Sequence, residues 1–194
     1  MYVEDNGGAF PGWASEHAGF NASDWIYWRM DPAYPQVDKS PIVQTLTGAG
    51  KALFRCPLDT DDSQRILEAE ADPDNGPYLY SYSLTSYNLE ISADSTNNPG
   101  MTTIYSGGQL HVFKQSAIRN PALKIMLAEE VASANSHDNP SGTKVINDGR
   151  WVPSEGDPLT ARHGKKADVT FADGHVQAVP WEFGKDTANS QPGL

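Results

Sequence analysis

A chain of 194 residues and 21.1 kDa, 38% hydrophobic and 10% aromatic, fits one domain over residues 1–194 and carries too many bulky core formers for wholesale disorder. Its net charge of −11 repels phosphate backbones and anionic headgroups, which argues against nucleic acid as a partner and leaves basic proteins and divalent cations open. A single cysteine, Cys56, excludes an internal disulfide and a cysteine-based zinc site, and no stretch approaches the roughly 20 apolar residues of a membrane span.

The opening Tyr2-Val3-Glu4-Asp5-Asn6-Gly7-Gly8-Ala9-Phe10-Pro11 reads as a turn region, and no signal peptide precedes it, so a soluble chain lacking an upstream piece is expected. From Trp13 to Tyr34 aromatics crowd together with a period of neither 2 nor 3.6, which predicts an irregular, aromatic-packed segment. A short helix is expected over residues 40–48, with Ser40 as its cap and Pro41 at its first position. Another is expected over 62–71, capped by Asp61 or Asp62 and turning Glu68 and Glu70 to solvent. Fourteen prolines and seventeen glycines keep such elements short and favour strands joined by turns. Strands are predicted at 78–87, 109–113 and 124–128 as neighbours in an antiparallel sheet, with 91–108 and 131–157 as exposed loops.

The clearest local signal lies between Ala167 and Pro180, where two alternating runs meet at Asp173-Gly174. Asp-Gly between such runs predicts a two-residue type I′ hairpin, which opposes Phe171 to Val176 and Val169 to Ala178. That register places Ala167, Val169, Phe171, Val176, Ala178 and Pro180 on a core face, with Asp168, Thr170, His175 and Gln177 on a polar one. The fold class expected is α+β, dominated by antiparallel sheet, with short helices and long loops.

His163 is followed by nine residues and then Asp173-Gly174, a spacing that resembles the H-X9-DG signature of prepilin-like proteins. Three other stretches resemble that family in the same order: Asp5 to Pro11, Phe54-Arg55-Cys56-Pro57 leading to Ser81-Tyr82-Ser83, and Ile118-Arg119-Asn120-Pro121 before Ile125 to Glu129. The resemblance implies a pilin-like head, akin to pseudopilins of type II secretion or type IV pilins. It would be a non-enzymatic subunit, anchored in the inner membrane by an N-terminal helix and facing the periplasm or cell surface. Its partners would be other pilin-like subunits and the secretion or pilus machinery. The leader, cleavage glycine and apolar helix of such proteins are absent, so the resemblance implies a truncated head. His163, Asp173 and Gly174 are then structural motif residues, with no catalytic role.

Chemical readings compete with this one. Arg162-His163-Gly164 is similar to the histidine-phosphatase motif, but no apolar strand precedes it. A metal-dependent hydrolase would need His163, Asp173 and His175 on one ion, which an extended strand between them opposes, so no metal site is assigned there. His163 is expected instead to bond a backbone group or Asp168 at the open end of the hairpin. The acidic runs Asp59-Thr60-Asp61-Asp62 and Asp72-Pro73-Asp74-Asn75-Gly76 leave calcium open, although Ser83 stands where a calcium loop needs a bidentate glutamate. Glu129 and Glu130, adjacent on a strand, point to opposite faces and make a poor catalytic pair. Trp13, Trp25, Tyr27 and Trp28 offer a carbohydrate or partner surface if exposed, and a core if buried. Cys56 is expected to be buried and unreactive, with no histidine at a telling spacing.

Overall fold

The structure, a computed structural model, describes residues 2–46, 50–69, 76–86, 100–106, 109–142, 148–153 and 157–193. Among the described residues the α-helices are α1 (Tyr2–Asp5), α2 (Pro41–Gln44) and α3 (Asp62–Ala69). The strands are β1 (Tyr82–Thr85), β2 (Ile104–Ser106), β3 (Gln109–His111), β4 (Ile125–Glu129), β5 (Arg150–Trp151), β6 (Lys166–Phe171) and β7 (Val176–Pro180). Five of them form a sheet in the order β5-β1-β4-β6-β7, antiparallel except for the β1–β5 pair. The class is therefore α+β. Among the described residues no helix is long and apolar enough to cross a membrane.

Both predicted helices are present, the first shortened to Pro41–Gln44 and the second running over Asp62–Ala69, with residues 70 and 71 of the expected span outside the described residues. Ser40 does not cap α2 with its side chain. Its hydroxyl donates to the Val37 carbonyl at 2.6 Å and accepts the Tyr27 amide at 2.8 Å, so it pins the aromatic segment to the helix start instead. The α3 helix inverts the usual amphipathic logic: Ile66 and Leu67 are exposed, while Arg65 is buried at 2% exposure. Glu68 faces inward enough to accept the Ala134 amide at 3.0 Å.

Three strand expectations need correction. The 109–113 run pairs not with the main sheet but with β2, from within the expected 91–108 loop, in a separate two-stranded sheet. The region 131–157 is not simply an exposed excursion, because Val131, Ala132, Ser133, Asp148, Arg150, Trp151 and Asp157 are buried and Arg150–Trp151 is a sheet strand. Two adjacent residues give no periodicity, so β5 has no sequence signal.

The third correction is the hairpin register. Thr170 opposes Val176, Val169 opposes Gln177 and Ala167 opposes Val179, one residue away from the type I′ expectation. The Gly174 amide donates to the Phe171 carbonyl at 2.9 Å and the Phe171 amide to the His175 carbonyl at 2.9 Å, enclosing a three-residue loop of Ala172, Asp173 and Gly174. Gly174 has a φ of 93°, and Asp173 is not in the left-handed region, so this is a turn closed by a glycine bulge. The slip leaves β6 as expected, with Ala167, Val169 and Phe171 buried, but it turns Val176, Ala178 and Pro180 out and Val179 in.

Apolar side chains cover both faces of the sheet. One face carries Ile125, Ala128, Ala167, Val169, Phe171 and Val179 against Trp151, Leu159, Trp181 and Phe183. A second cluster packs Trp25, Ile26, Trp28, Phe54 and Tyr78 around Leu84 of β1, with Met126 and Leu127 of β4 at its margin. A register shift between Ile125 and Leu127 on the β6 side inserts Met126 as an extra residue, so Ile125 and Ala128 both reach the first face. That shift also sends Glu129 to the opposite face, paired with Tyr82 across the β1–β4 ladder.

Two glycines separate backbone from packing constraints. A Cβ at Gly174 would meet nothing within 4 Å, whereas one at Gly184 would lie 2.7 Å from Leu159 Cγ and 3.0 Å from the Trp151 ring. Gly174→Ala is expected to cost about 1 kcal/mol through its positive φ alone. Gly184→Ala should cost about 1–3 kcal/mol by overpacking. Urea unfolding of both variants checks the values, and the aromatic near-UV signal should change only for Gly184→Ala.

Candidate functional site

The segments around residues 54–59, 81, 129 and 162 meet around one guanidinium. Arg162, which precedes the motif histidine, has a side chain only 1% exposed. Its Nη1 donates to Glu129 Oε1 at 2.8 Å, and its Nη2 donates to Asp138 Oδ2 and to the Glu130 carbonyl, with Asp59 Oδ2 at 3.6 Å. Asp59 is gripped from its other side by Arg65, at 2.6 and 2.7 Å, and accepts the Ser81 hydroxyl at 2.6 Å. Ser81 in turn accepts the Cys56 amide at 2.9 Å, and its own amide donates to the Phe54 carbonyl. The Phe54-Arg55-Cys56-Pro57 stretch is thereby tied to the start of β1, and both are tied through Asp59 and Arg162 to the end of β4.

The charges settle accordingly. Burial alone would raise the Asp59 carboxyl, but Arg65 and Arg162 outweigh it and hold it down at about 2. Burial is the largest single influence on Asp138 and would raise it, but Arg162 and the hydrogen bonds from Ser136 and Thr160 together outweigh burial and lower it. The glutamate just past the end of β4 has a contrasting environment. Glu130 is buried beside Asp157 and Asp148, and burial together with those like charges pushes its carboxyl well up. Asp157 is pushed up by burial to about 8, with one oxygen accepting the Val152 amide at 2.8 Å and the other without a hydrogen-bond partner among the described residues. The expectation that Glu129 and Glu130 point apart holds, and the two carboxylates sit in environments of opposite sign.

His163 stands at the Lys166 end of β6, its amide donating to the Lys166 carbonyl at 3.0 Å. Its Nε2 lies 3.1 Å from Glu129 Oε2 and 3.7 Å from Asp168 Oδ2, so the side chain bonds Glu129 in place of the expected Asp168, which stands nearby beyond hydrogen-bond distance. The same nitrogen lies 3.5 Å from Cys56 Sγ, a contact across 107 positions of sequence that no local spacing announces. Asp173 and Gly174 lie in the loop beyond Phe171, at the opposite end of β6, so a centre joining His163 to Asp173 and His175 is not assembled. His175 pairs with Asp173 at 2.6 Å and stacks on Phe171 at 4.3 Å between ring centroids.

The tryptophans of the candidate carbohydrate surface are packed inside: Trp13, Trp25 and Trp28 are 4%, 1% and 4% exposed. Trp25 Nε1 donates to the Gly149 carbonyl at 2.6 Å and Trp28 Nε1 to the Ala14 carbonyl at 2.7 Å, which satisfies their polar ends within the core. Tyr27 is half-buried, its hydroxyl on the Ala22 carbonyl and its ring edge-on to Phe20. An exposed stacking platform of these four residues is therefore not formed.

The first acidic run is used internally by Arg65, Arg162, Arg55 and His137: Asp62 pairs with Arg55 at 2.6 Å and Asp61 with His137 at 3.0 Å. Of the second run, Asp72 to Asn75 lie outside the described residues. Comparison with family models, with curated proteins and with solved structures returned no match.

Two substitutions test this electrostatic division. Arg162→Met leaves Asp59, Glu129 and Asp138 without their shared cation and should cost about 3–5 kcal/mol in chemical denaturation at pH 7. Asp157→Asn should act in the opposite direction. Because the folded Asp157 carboxyl is raised above its unfolded value of about 3.9, its contribution is fully present below that pH and is lost as pH rises towards 8. The variant should match the native chain near pH 4 and be the more stable by at least about 1.4 kcal/mol at pH 8. Equal gains at both pH values would refute a buried neutral Asp157. Asp59 has the reverse sign: its depressed value adds stability above about pH 3.9 that is lost as pH falls through about 2.

Proposed function

We propose that this chain is the head of a pilin-like structural subunit of the cell envelope, with no catalytic role. The observation that carries the proposal is that charged residues at two of the motif stretches, Arg162 and Glu129, are spent on a closed internal network rather than turned to a ligand. Arg162, next to His163, is enclosed by Asp59, Glu129 and Asp138, and Glu129 also accepts the Asp168 amide at 3.0 Å. Side chains so committed hold strands in register, which is what a mechanical subunit needs of them.

Two further features support the reading. The Asp-Gly pair closes the hairpin that forms one edge of the sheet, giving Gly174 a conformational reason to be there. The Asp5 to Pro11 stretch follows the helical turn α1, after which Gly7 and Gly8 take positive φ and deliver Phe10 onto Phe113 at 5.5 Å. An N-terminal helix continuing into α1 would place the head outside the inner membrane and pack against other pilin-like subunits of a secretion or pilus machinery.

The carbohydrate reading needs exposed tryptophans, and the hydrolase reading on His163 and Asp173 needs them together; neither geometry is present. The test is the gene upstream of Tyr2. A short basic leader, a cleavage glycine and about 20 apolar residues are expected there, and processing by a prepilin peptidase should leave the product in the membrane fraction. An ordinary secretory signal, or a cytoplasmic start with no apolar segment, would overturn the proposal.

A further inference from the structure

Three ligand-bearing side chains from distant parts of the chain converge beneath β6. Cys56 Sγ, a Glu129 carboxylate oxygen and His163 Nε2 all lie within 4.8 Å of one another. The thiol and the carboxylate are buried, at 2% and 0% exposure, whereas the imidazole and the Asp168 carboxylate beside it are 23% and 38% exposed and open the cluster to solvent. Cys56, Glu129 and Asp168 reach the same ring nitrogen at 3.5, 3.1 and 3.7 Å. That nitrogen is oversubscribed. An imidazole Nε2 has either one proton or one lone pair, so it serves one of the three groups at a time.

A cation at the centre serves all of them. Bond lengths of ~2.3 Å to sulfur, ~2.0–2.1 Å to imidazole nitrogen and ~2.0–2.2 Å to carboxylate oxygen give tetrahedral ligand separations of about 3.3–3.6 Å. The separations found around Nε2 bracket that range. Glu129 also has the outer support expected of a ligand, since Arg162 and the Asp168 amide hold its two oxygens from behind. An all-cysteine site is excluded by composition, but a mixed set with one thiolate needs only Cys56.

We propose that Cys56, Glu129 and His163 form a binding site for one zinc-class divalent cation, with the fourth position turned towards Asp168 and solvent. On binding, the Cys56 thiol releases its proton to water and its sulfur lone pair forms the bond to the ion. His163 binds through the Nε2 lone pair, keeping its ring proton on Nδ1. The ion would clamp the segment after Phe54 to β4 and to the entry of β6, beside the Arg162 network and independently of any assembly role.

Cobalt(II) titration of the purified, metal-stripped chain tests this, because a thiolate ligand gives cobalt an intense near-ultraviolet charge-transfer band. One equivalent should bind with that band and with tetrahedral visible absorption, and zinc should displace it. Cys56→Ser should abolish the band, His163→Ala should weaken binding at least tenfold, and His137→Ala should leave both unchanged. The last variant matters because Asp61, His137 and Asp138 form a second, thiol-free cluster. No binding, binding without a thiolate band, or binding lost only in His137→Ala would overturn the proposal. The band is read on the native chain, so instability of a variant does not blunt the result.

Discussion

A guanidinium buried among three carboxylates sets the terms for the rest of this structure. Arg162 is the last residue before the motif histidine, and Asp59, Glu129 and Asp138 reach it from the segment before α3, the end of β4 and the middle of the 131–157 region. Desolvating four charges is costly, and a planar fork with five donors recovers that cost only if each acceptor is in place. Removing any one segment would leave buried charge behind. The network therefore binds elements that local propensity would leave apart, and it explains how a polar stretch such as 131–142 can lie against the sheet. Asn139 contributes the same kind of closure on a smaller scale, its side chain accepting the amides of Ser141 and Gly142 and donating to the carbonyls of Ser133 and Ala134.

Glu129 and Glu130 show how completely environment outweighs residue type. One is aimed at a cation and an imidazole, the other at two further carboxyl groups, and the alternation of a strand is the whole cause of the difference. Burial raises the carboxyls of Glu130, Asp148 and Asp157, whereas the carboxylates around Arg162 include Asp59 and Asp138, held low, and the two groups are reached from the adjacent residues Glu130 and Glu129. Their opposite responses to pH give this acidic chain its best stability between the range that protonates Asp59 and the range that ionises Asp157.

The aromatic segment joins the sheet without regular secondary structure. Buried indoles there donate to backbone carbonyls at Ala14 and Gly149, which stand in for the ladder bonds that an irregular chain lacks. Close approach is possible because Gly149 has no side chain; a Cβ there would fall 2.5 Å from that of Ala14. The same two residues exchange an amide-to-carbonyl bond at 3.1 Å. Aromatic bulk thus fills the space on one side of β1, while the 3-10 turn carrying Trp181 and Phe183 fills the other side of β6.

Composition and local pattern were enough to determine the α+β class, the shortness of the helices, the β4 strand, the hairpin's position and the inward face of β6. Each depends on near neighbours: turn residues, caps and a two-residue period. The hairpin register was not determined in that way, because Asp-Gly serves a three-residue bulged loop as well as a type I′ turn, and the contacts of Val179 beneath the sheet choose between them. Burial of Trp13, Trp25 and Trp28 was equally undecided, since an aromatic run with no period names no face. The contact of Cys56 with His163 and the enclosure of Arg162 arise from pairings over distances of 24 to 107 residues. Only the tertiary structure could decide them, because a charge or a ligand atom carries no record in the sequence of which distant partner will meet it.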